Sequence, residues 1–211
     1  MTFLQLQTLT GQWLDDTAFG YFTLATVKTW LNNSQRELQK LLLNSGENYY
    51  TKCASCSTVV GQKDYAFPSD FLKVMRLEYI LSGSGDTAVM NPIAAITRNE
   101  QDNYSGSISG DPSYYWLNKD TFTLKPVPNA VKTIRLQYAY RVSDMSADGD
   151  LPDAPADYHE YLAIMAARDG FIKDGRDLSA INNKLGYFEG MLNKNAEQRK
   201  QDAPRMVVHC E

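Results

Sequence analysis

Apolar residues recur with a helical period near both ends of this sequence and with a different pattern in its middle. Near each end they are spaced by three and four positions, with Ser34 filling one gap: Leu24, Val27, Leu31, Leu38 and Leu41, then Leu178, Ile181, Leu185, Phe188 and Leu192. From Tyr49 to Arg141, short β-branched and aromatic runs alternate with turn residues. The sequence therefore predicts an α+β fold, in which a helical bundle built from the N- and C-terminal helices carries an inserted antiparallel β-rich module.

The same change of pattern predicts the boundaries of these regions. Residues 1–46 and 150–203 are expected to form the helical bundle, and residues 47–149 the β-rich insertion. Asp202-Ala203-Pro204 breaks the last helical pattern, so residues 204–211 are expected to form an extended C-terminal tail.

Two capping-box patterns predict where helices begin. Thr2 followed by Gln5 indicates a first helix, which we expect to end near Gly11. Thr97 followed by Glu100 indicates a short helix that runs to about residue 104.

Strands are predicted where β-branched and aromatic residues gather. Thr58-Val59-Val60 and Tyr65-Ala66-Phe67 are expected to form strands on either side of Gly61. The clearest alternation of apolar and polar residues runs from Ile134 to Arg141, and it predicts a strand with one buried face and one wetter face.

Charge and composition argue against several classes of protein. The formal net charge is −4, and the densest basic stretch, Arg199-Lys200, is followed by polar and acidic residues, so nucleic acid is not expected to be a main partner. No segment approaches the ~20 apolar residues that span a membrane, and the N-terminus lacks the features of a signal peptide. Three cysteines do not make a disulfide framework, which favours a protein made in a reducing cytoplasm.

Cys53 and Cys56 form a C-x-x-C pair, the spacing with which two thiolates reach one zinc ion. A structural zinc site needs four ligands, and the sequence has no second such pair. His209 and Cys210 could complete the set only if the C-terminal tail folded back. We therefore expect a chance occurrence among polar residues before a strand, and no metal site.

Five aspartates between residues 144 and 157 suggest a calcium loop. When Asp144 is placed first in an EF-hand loop, Asp148 and Gly149 fall at suitable positions, but Pro155 stands where a bidentate glutamate is required. This segment is instead expected to be a solvated linker that carries a helix cap.

No catalytic or cofactor-binding motif is found in the sequence. His159 has Glu160 beside it rather than one helical turn away, and no nucleophile elbow, phosphate-binding loop or dinucleotide fingerprint is present. We expect no cofactor and no enzymatic activity.

The middle and end of the chain resemble head–tail adaptor (connector) proteins of tailed bacteriophages. The segment Tyr65–Leu77 carries a strand, a proline, an Asp-Phe-Leu turn and a second strand that opens with alternating basic and apolar residues. The later hairpin, the return strand and the re-entry into helix follow the same order: residues 114–117, 122–128, 134–141, Leu151-Pro152 and 158–161. The resemblance spans about residues 60–200, and it includes neither the C-x-x-C pair nor the Ser-Gly segment at 105–110.

This resemblance implies a structural protein of the virion at the head–tail junction. Such adaptors bind beneath the portal protein, usually as a ring of twelve copies that extends the DNA channel and offers a docking surface to the tail nozzle or tail tube. DNA would pass without specific binding, and no membrane is involved. Some relatives in short-tailed phages are credited with cell-wall hydrolase activity, but we find no residue onto which that activity could be carried.

Other functions stay open on the sequence alone. A different tail or head-completion protein, such as a tail nozzle subunit, has the same general character. A cell-wall hydrolase or a zinc-binding module around Cys53 and Cys56 fits less well. The apolar residues Met206, Val207 and Val208 are predicted to dock on the portal or on a neighbouring subunit.

Overall fold

The computed structural model describes residues 1–44, 49–83, 88–100 and 109–202, with side chains described as far as residue 194. These residues cluster into two compact units, one formed by the chain up to Tyr49 and from Val142 onwards, the other by Tyr50–Arg141. The first unit is helical and the second is built from strands. The predicted α+β class, with helices at both ends and antiparallel sheets between them, is confirmed.

The described part of the helical unit contains four α-helices. Their bounds are α1 Phe3–Leu14, α2 Leu24–Asn44, α3 His159–Asp174 and α4 Ser179–Asp202. A short 3₁₀ turn, Ala156–Tyr158, leads into α3. Helix α3 is the centre of the unit: α1, α2 and α4 all contact it, and most of its residues from His159 to Gly170 are buried.

Helix α1 begins as the sequence predicts but ends later. The Thr2 hydroxyl accepts a hydrogen bond from the Gln5 backbone at 3.3 Å, and the Gln5 side chain accepts one from the Thr2 backbone at 2.8 Å. The expected end near Gly11 is wrong, because the helix continues to Leu14 and stops where Asp15 adopts a left-handed conformation. Gly11 lies inside the helix at a crowded position. A Cβ atom there would lie only 3.3 Å from the Phe19 ring, so the missing side chain leaves room for that ring.

The segment 142–155, which we call the strap, is bound to α2 by side-chain hydrogen bonds. The Asn32 side chain donates to the Met145 carbonyl at 3.0 Å and accepts from the Met145 backbone nitrogen at 2.9 Å. Gln35 donates to the Ser143 carbonyl at 2.8 Å and accepts from the backbone nitrogen of Asp153 at 3.0 Å. Most aspartates of the strap are exposed, as expected of a solvated segment, but the strap is not a free linker, because amide side chains of α2 satisfy several of its backbone groups.

The strap also completes the start of α1. The Phe3 backbone nitrogen donates to the Asp150 carbonyl at 2.8 Å, and that of Leu4 donates to the Asp148 carbonyl at 3.0 Å. The first amide groups of a helix have no partner within the helix, so these two bonds satisfy donors that α1 cannot satisfy itself.

The β unit contains two four-stranded sheets and one two-stranded ladder in its described residues. The strands are β1 Thr51–Ser57, β2 Asp64–Ala66, β3 Phe71–Ser82, β4 Val89–Pro92, β5 Ala94–Ala95, β6 Ser109–Gly110, β7 Tyr114–Leu117, β8 Thr121–Lys125, β9 Val127–Pro128 and β10 Thr133–Tyr140. The sheet orders are β1-β10-β3-β4 and β2-β8-β7-β5, with β6 beside β9. All ladders are antiparallel except β5–β7 and β6–β9.

The buried face of β10 lies in the core of this unit. Ile134, Leu136 and Tyr138 are buried together with residues of β3, β7 and β8, which confirms the alternation predicted for this strand. The strand expected at residues 58–60 is wrong, because β1 ends at Ser57. Thr58 is instead a buried anchor, whose hydroxyl donates to the Ala130 carbonyl at 2.8 Å and accepts from the Lys132 backbone at 2.7 Å.

At the second capping-box pattern, the Glu100 carboxylate accepts from both the backbone nitrogen and the hydroxyl of Thr97 at 2.8 Å. The helix expected beyond this turn falls on residues 101–104, outside the described residues.

Candidate interaction surfaces

The C-x-x-C pair lies within strand β1, where its spacing separates the two thiols. Side chains three positions apart in a strand point to opposite faces, and β1 pairs with β10 in continuous register from Thr51 to Ser57. Cys56 packs against the core and burial raises the pKa of its thiol, whereas Cys53 is exposed and accepts a 3.7 Å contact from the Arg135 guanidinium. The expected position before a strand is therefore wrong, and the strand geometry does not bring the two sulfurs to one ion.

The sequence offers two further candidate ligands for this pair. His209 and Cys210 lie outside the described residues. Among the residues that the structure describes, no group of three or more His, Cys, Asp or Glu side chains is arranged to hold a metal ion.

His159 has a structural environment at the start of α3. Its Nε2 lies 3.1 Å from the carbonyl oxygen of Ala154, and its Nδ1 lies 2.6 Å from the Met1 nitrogen. Burial lowers the pKa of this imidazole, so it is neutral near pH 7. His159 therefore joins α3 to the end of the strap and to the start of the chain.

The Asp-Phe-Leu turn of the sequence resemblance is fixed by Asp70. Its carboxylate accepts from Lys52 Nζ and from the Tyr138 hydroxyl, both at 2.9 Å, and Lys52 in particular lowers the pKa of Asp70. A polar cleft of about 400 Å³ opens beside this turn and is lined in part by Ser69, Lys119, Asp120 and Arg141. The turn is therefore a rigid feature on the surface of the β unit.

An apolar patch, which we call the valine tip, lies where β1 ends and β10 begins. Val59, Val60 and Val131 are 52%, 59% and 70% exposed. The buried hydroxyl of Thr58 joins the two loops that carry them. Docking on such a patch loses little conformational entropy, because its backbone is already held in place before a partner binds.

The loop between α1 and α2 holds an exposed tyrosine in one position. The Asp16 carboxylate accepts hydrogen bonds from the backbone nitrogens of Gly20, Tyr21 and Phe22 at 2.8–3.0 Å. These bonds lower the pKa of Asp16, and the bond from Phe22 contributes most. The Tyr21 hydroxyl donates to Asp174 at 3.0 Å, which raises the pKa of Tyr21. Tyr21 is 69% exposed, and a rigid exposed tyrosine is typical of the residues that anchor protein–protein contacts.

Two helix faces of the helical unit are exposed and have few charges: the face of α1 has no charged side chain, and that of α4 has Lys194 one turn after Met191. The outer face of α1 is formed by Met1, Leu4, Gln5, Thr8, Leu9 and Gln12, which line a groove of about 420 Å³. The outer face of α4 is formed by Asn183, Gly186, Tyr187, Gly190 and Met191. Interfaces between proteins are depleted of charge at their centres, so both faces are candidate contact surfaces.

None of the helices, over the described ranges, is both long enough and apolar enough to cross a bilayer.

The surfaces above suit a protein that works by contact with other proteins, and a comparison with protein families agrees. The family model described as SU10 adaptor protein matches residues 1–208, which is nearly the whole chain. The chain belongs to the SU10 adaptor protein family. A search of the curated proteins found no match.

Membership of this family makes the chain a structural adaptor protein of a bacteriophage, and thus a component of the virion. It confirms the resemblance to phage adaptors at the level of the family. The match extends over α1 and α2 of the adaptor, for which the sequence resemblance gave no diagnostic residue.

The contact surface predicted from sequence was the C-terminal tail alone. Met206, Val207 and Val208 lie outside the described residues. The exposed face of α1, the Tyr21 loop and the valine tip were missed. For α1 the sequence held a signal, since residues 1–14 contain no charged side chain in a chain with 22% charged residues.

Proposed function

We propose that this protein occupies the head–tail junction of the virion, binds the portal protein and forms a ring of identical subunits that extends the DNA channel. The observation that carries the proposal is the family match over residues 1–208. In this role the chain is a structural component and not an enzyme. We further propose twelve copies in the ring, with the tail nozzle or tail tube protein as the partner on the other side.

The charge of the chain supports a channel through which DNA moves. A net charge of −4 provides no general attraction for phosphate groups, so passing DNA is not held. Lysines and arginines of the described residues are often engaged with nearby carboxylates, for example Lys28 with Asp148 and Lys132 with Asp111.

Exposed apolar groups on both units support the presence of several separate contact surfaces. The outer faces of α1 and α4 belong to the helical unit, and the valine tip belongs to the β unit. A ring subunit needs separate surfaces for its neighbours and for the proteins above and below it, since its ring contacts join two different faces.

The C-terminal tail is proposed to bind the portal or a neighbouring subunit. Met206, Val207 and Val208 are three successive apolar residues, and terminal segments of this kind often become ordered on a partner. A chain that ends after residue 203 should bind the portal more weakly. A double substitution, Val207→Asp with Val208→Asp, should weaken it similarly while keeping the chain length, and unchanged binding by both variants would contradict the tail proposal.

The mass of the assembly tests the proposed function. Light scattering on a sizing column is measured for the protein alone, for the portal ring of the same phage, and for their mixture. We expect the mixture to gain about twelve chain masses. A protein that never joins the portal contradicts the proposal, and binding to isolated tails alone would instead identify a tail or head-completion subunit.

A further inference from the structure

The folding of this chain does not explain why the exposed outer face of α1 has no charged side chain. The inner face of the helix is buried and includes Phe3, Leu6 and Leu14. On the opposite side, Leu4 is 51% exposed and Met1 is 40% exposed, beside uncharged Gln5, Thr8 and Gln12. Helix surfaces that face water usually carry charged residues, so an uncharged outer face indicates a surface that another protein covers.

This face also carries a shallow, largely open groove. Met1, Leu4 and Leu9 line the groove of about 420 Å³ together with Gln5, Thr8 and Gln12. The groove is large enough to receive an aromatic side chain, and the surrounding amides and hydroxyl can pair with a polar tip. Tyrosine and tryptophan both have these two properties.

The helical unit presents such a tyrosine on another helix. Tyr187 on α4 is 67% exposed and Met191, one turn later, is 40% exposed. Gly186 and Gly190 lie beside them, with no atom within 4 Å of where their Cβ atoms would be. The tyrosine therefore projects from a helix surface that another backbone can approach closely.

We propose that the outer face of α1 binds the outer face of α4 of a neighbouring copy, with Tyr187 in the α1 groove. The two surfaces are compatible in charge, because the α1 face has no charged side chain and the only charge on the described α4 face, exposed Lys194, lies two turns from Tyr187 at the edge of the contact, where it keeps its water. They also match in shape, because one is a groove and the other a projecting ring. The proposal rests on the proposed function, since it assigns the contact by which a ring of copies would form.

The contact joins two different faces, so repeating it closes a ring or extends a chain of copies. A 12-residue helix is about 18 Å long and about 10 Å wide, so this face buries roughly 180 Å². Stable pairs bury about 800 Å² per partner, so the contact is weak between two free chains. It becomes effective where several copies are held together, as on a portal ring.

A site-specific cross-link tests the contact. In a background with Cys53, Cys56 and Cys210 replaced by serine, Thr8→Cys is placed on one batch of chains and Met191→Cys on another. Mixed on the portal ring and mildly oxidised, the two batches should give a disulfide-linked pair of chains on a denaturing gel. Either batch alone should give none.

Each other result of this experiment has a definite meaning. Cross-linking within the Thr8→Cys batch would show two α1 faces in contact and would overturn the proposal. Leu117→Cys, on an exposed residue of the β unit, serves as the control for Met191→Cys, and equal cross-linking of that control would indicate random collisions and would also overturn it. If the chains join the portal but no pair forms, the α1–α4 contact fails while the proposed function stands. If the serine-background chains do not join the portal at all, the proposed function itself fails.

A second measurement does not depend on cysteines. Tyr187→Lys and Leu4→Lys should each lower the affinity of ring assembly on the portal at least about tenfold, because a buried anchor is lost and an unpaired charge is introduced. Leu151→Lys is a matched control, since Leu151 is 69% exposed on the same unit and lies outside both faces. Full assembly by folded Tyr187→Lys and Leu4→Lys chains would overturn the proposal.

Discussion

Gly170 shows how closely the helices of this adaptor approach one another. A Cβ atom at this position would overlap Leu14 Cδ2 on α1 and would lie 3.2 Å from the Trp30 ring on α2. The glycine therefore permits three helices to meet at one point. Gly186 and Gly190 on α4 differ, because nothing within 4 Å requires them to lack a side chain.

Gly170→Ala should lower the free energy of unfolding by about 1–3 kcal/mol, because the added methyl group overpacks the junction of α1, α2 and α3. Gly186→Ala is the matched control on an exposed helix surface. It should raise the stability by up to about 1 kcal/mol, because alanine favours helix more than glycine does. Urea unfolding of the isolated protein measures both changes, and a neutral Gly170→Ala variant would contradict the packing described here.

Asp16 should make the stability of the helical unit depend on pH. Hydrogen bonds from backbone nitrogens, above all that of Phe22, lower the pKa of Asp16 in the folded protein. The ionised carboxylate therefore stabilises the fold at pH values above its unfolded pKa of about 3.9. That contribution is lost as the pH falls through the lower folded pKa. Asp16→Asn should therefore be less stable than the parent at pH 7, and the difference should shrink on going to pH 3.

Urea unfolding at both pH values measures this difference. Asp120→Asn, at the turn between β7 and β8, is the control, because that side chain is 80% exposed and only loosely paired with Lys119 at 4.0 Å. If the stability difference between Asp16→Asn and the parent protein did not change with pH, the charge of the Asp16 carboxylate would not be what holds the loop.

At the scale of elements, the strap is held to α2 by uncharged amides more than by ion pairs. Gln35 is fully buried and binds two backbone groups of the strap, whereas Arg36 and Asp144 form an ion pair whose side chains are 40% and 54% exposed. Hydrogen bonds made by a buried side chain are costly to remove even where they are only part-buried, while exposed ion pairs contribute little.

Gln35→Ala should therefore destabilise the protein by about 2–4 kcal/mol, because it removes the hydrogen bonds that this side chain makes to the Ser143 carbonyl and the Asp153 amide. Arg36→Ala, one residue away on the same helix, should cost less than about 1 kcal/mol. Hydrogen exchange adds a local measurement, in which the amide of Asp153 should exchange faster in Gln35→Ala than in Arg36→Ala. Equal effects of the two variants would contradict this account of the strap.

The helices and the main strand could be predicted from sequence because their signals are local. The strap has no such periodic spacing of apolar residues, and its contacts pair residues such as Gln35 and Ser143 that lie 108 positions apart. The C-x-x-C pair was misplaced for a related reason, since the polar sequence around Cys53 and Cys56 gives little indication of a strand until its pairing with β10 is known. The α1 contact surface was missed because helix periodicity identifies the buried face of a helix. It does not show whether another protein covers the exposed face.

At the scale of the whole molecule, each unit has a core of its own. The β unit, residues 50–141, buries Phe122, Leu124 and Ile134 together within one cluster. Its first and last strands are paired, with Thr51 opposite Ala139, so the chain enters and leaves the unit at neighbouring points.

A fragment of residues 50–141 should therefore fold without the helices, since its core is formed by its own residues and its two ends lie side by side. Circular dichroism and dispersed amide signals in a proton–nitrogen NMR spectrum would show this. Ile134→Asp in the fragment is the control, because a charge in the core should abolish the fold. A fragment whose spectrum matches that of this control would contradict the independence of the unit.

The pairing of β1 with β10 also determines how this unit responds to a mechanical load. Both strands are attached to the rest of the chain at the same end, where the Tyr140 nitrogen donates to the Tyr50 carbonyl at 3.0 Å. A force that pulled the two attachment points apart would open the ladder like a zipper, one hydrogen-bonded pair after another, starting at Thr51 and Ala139. Such a ladder yields at lower force than one in which all pairs are sheared together.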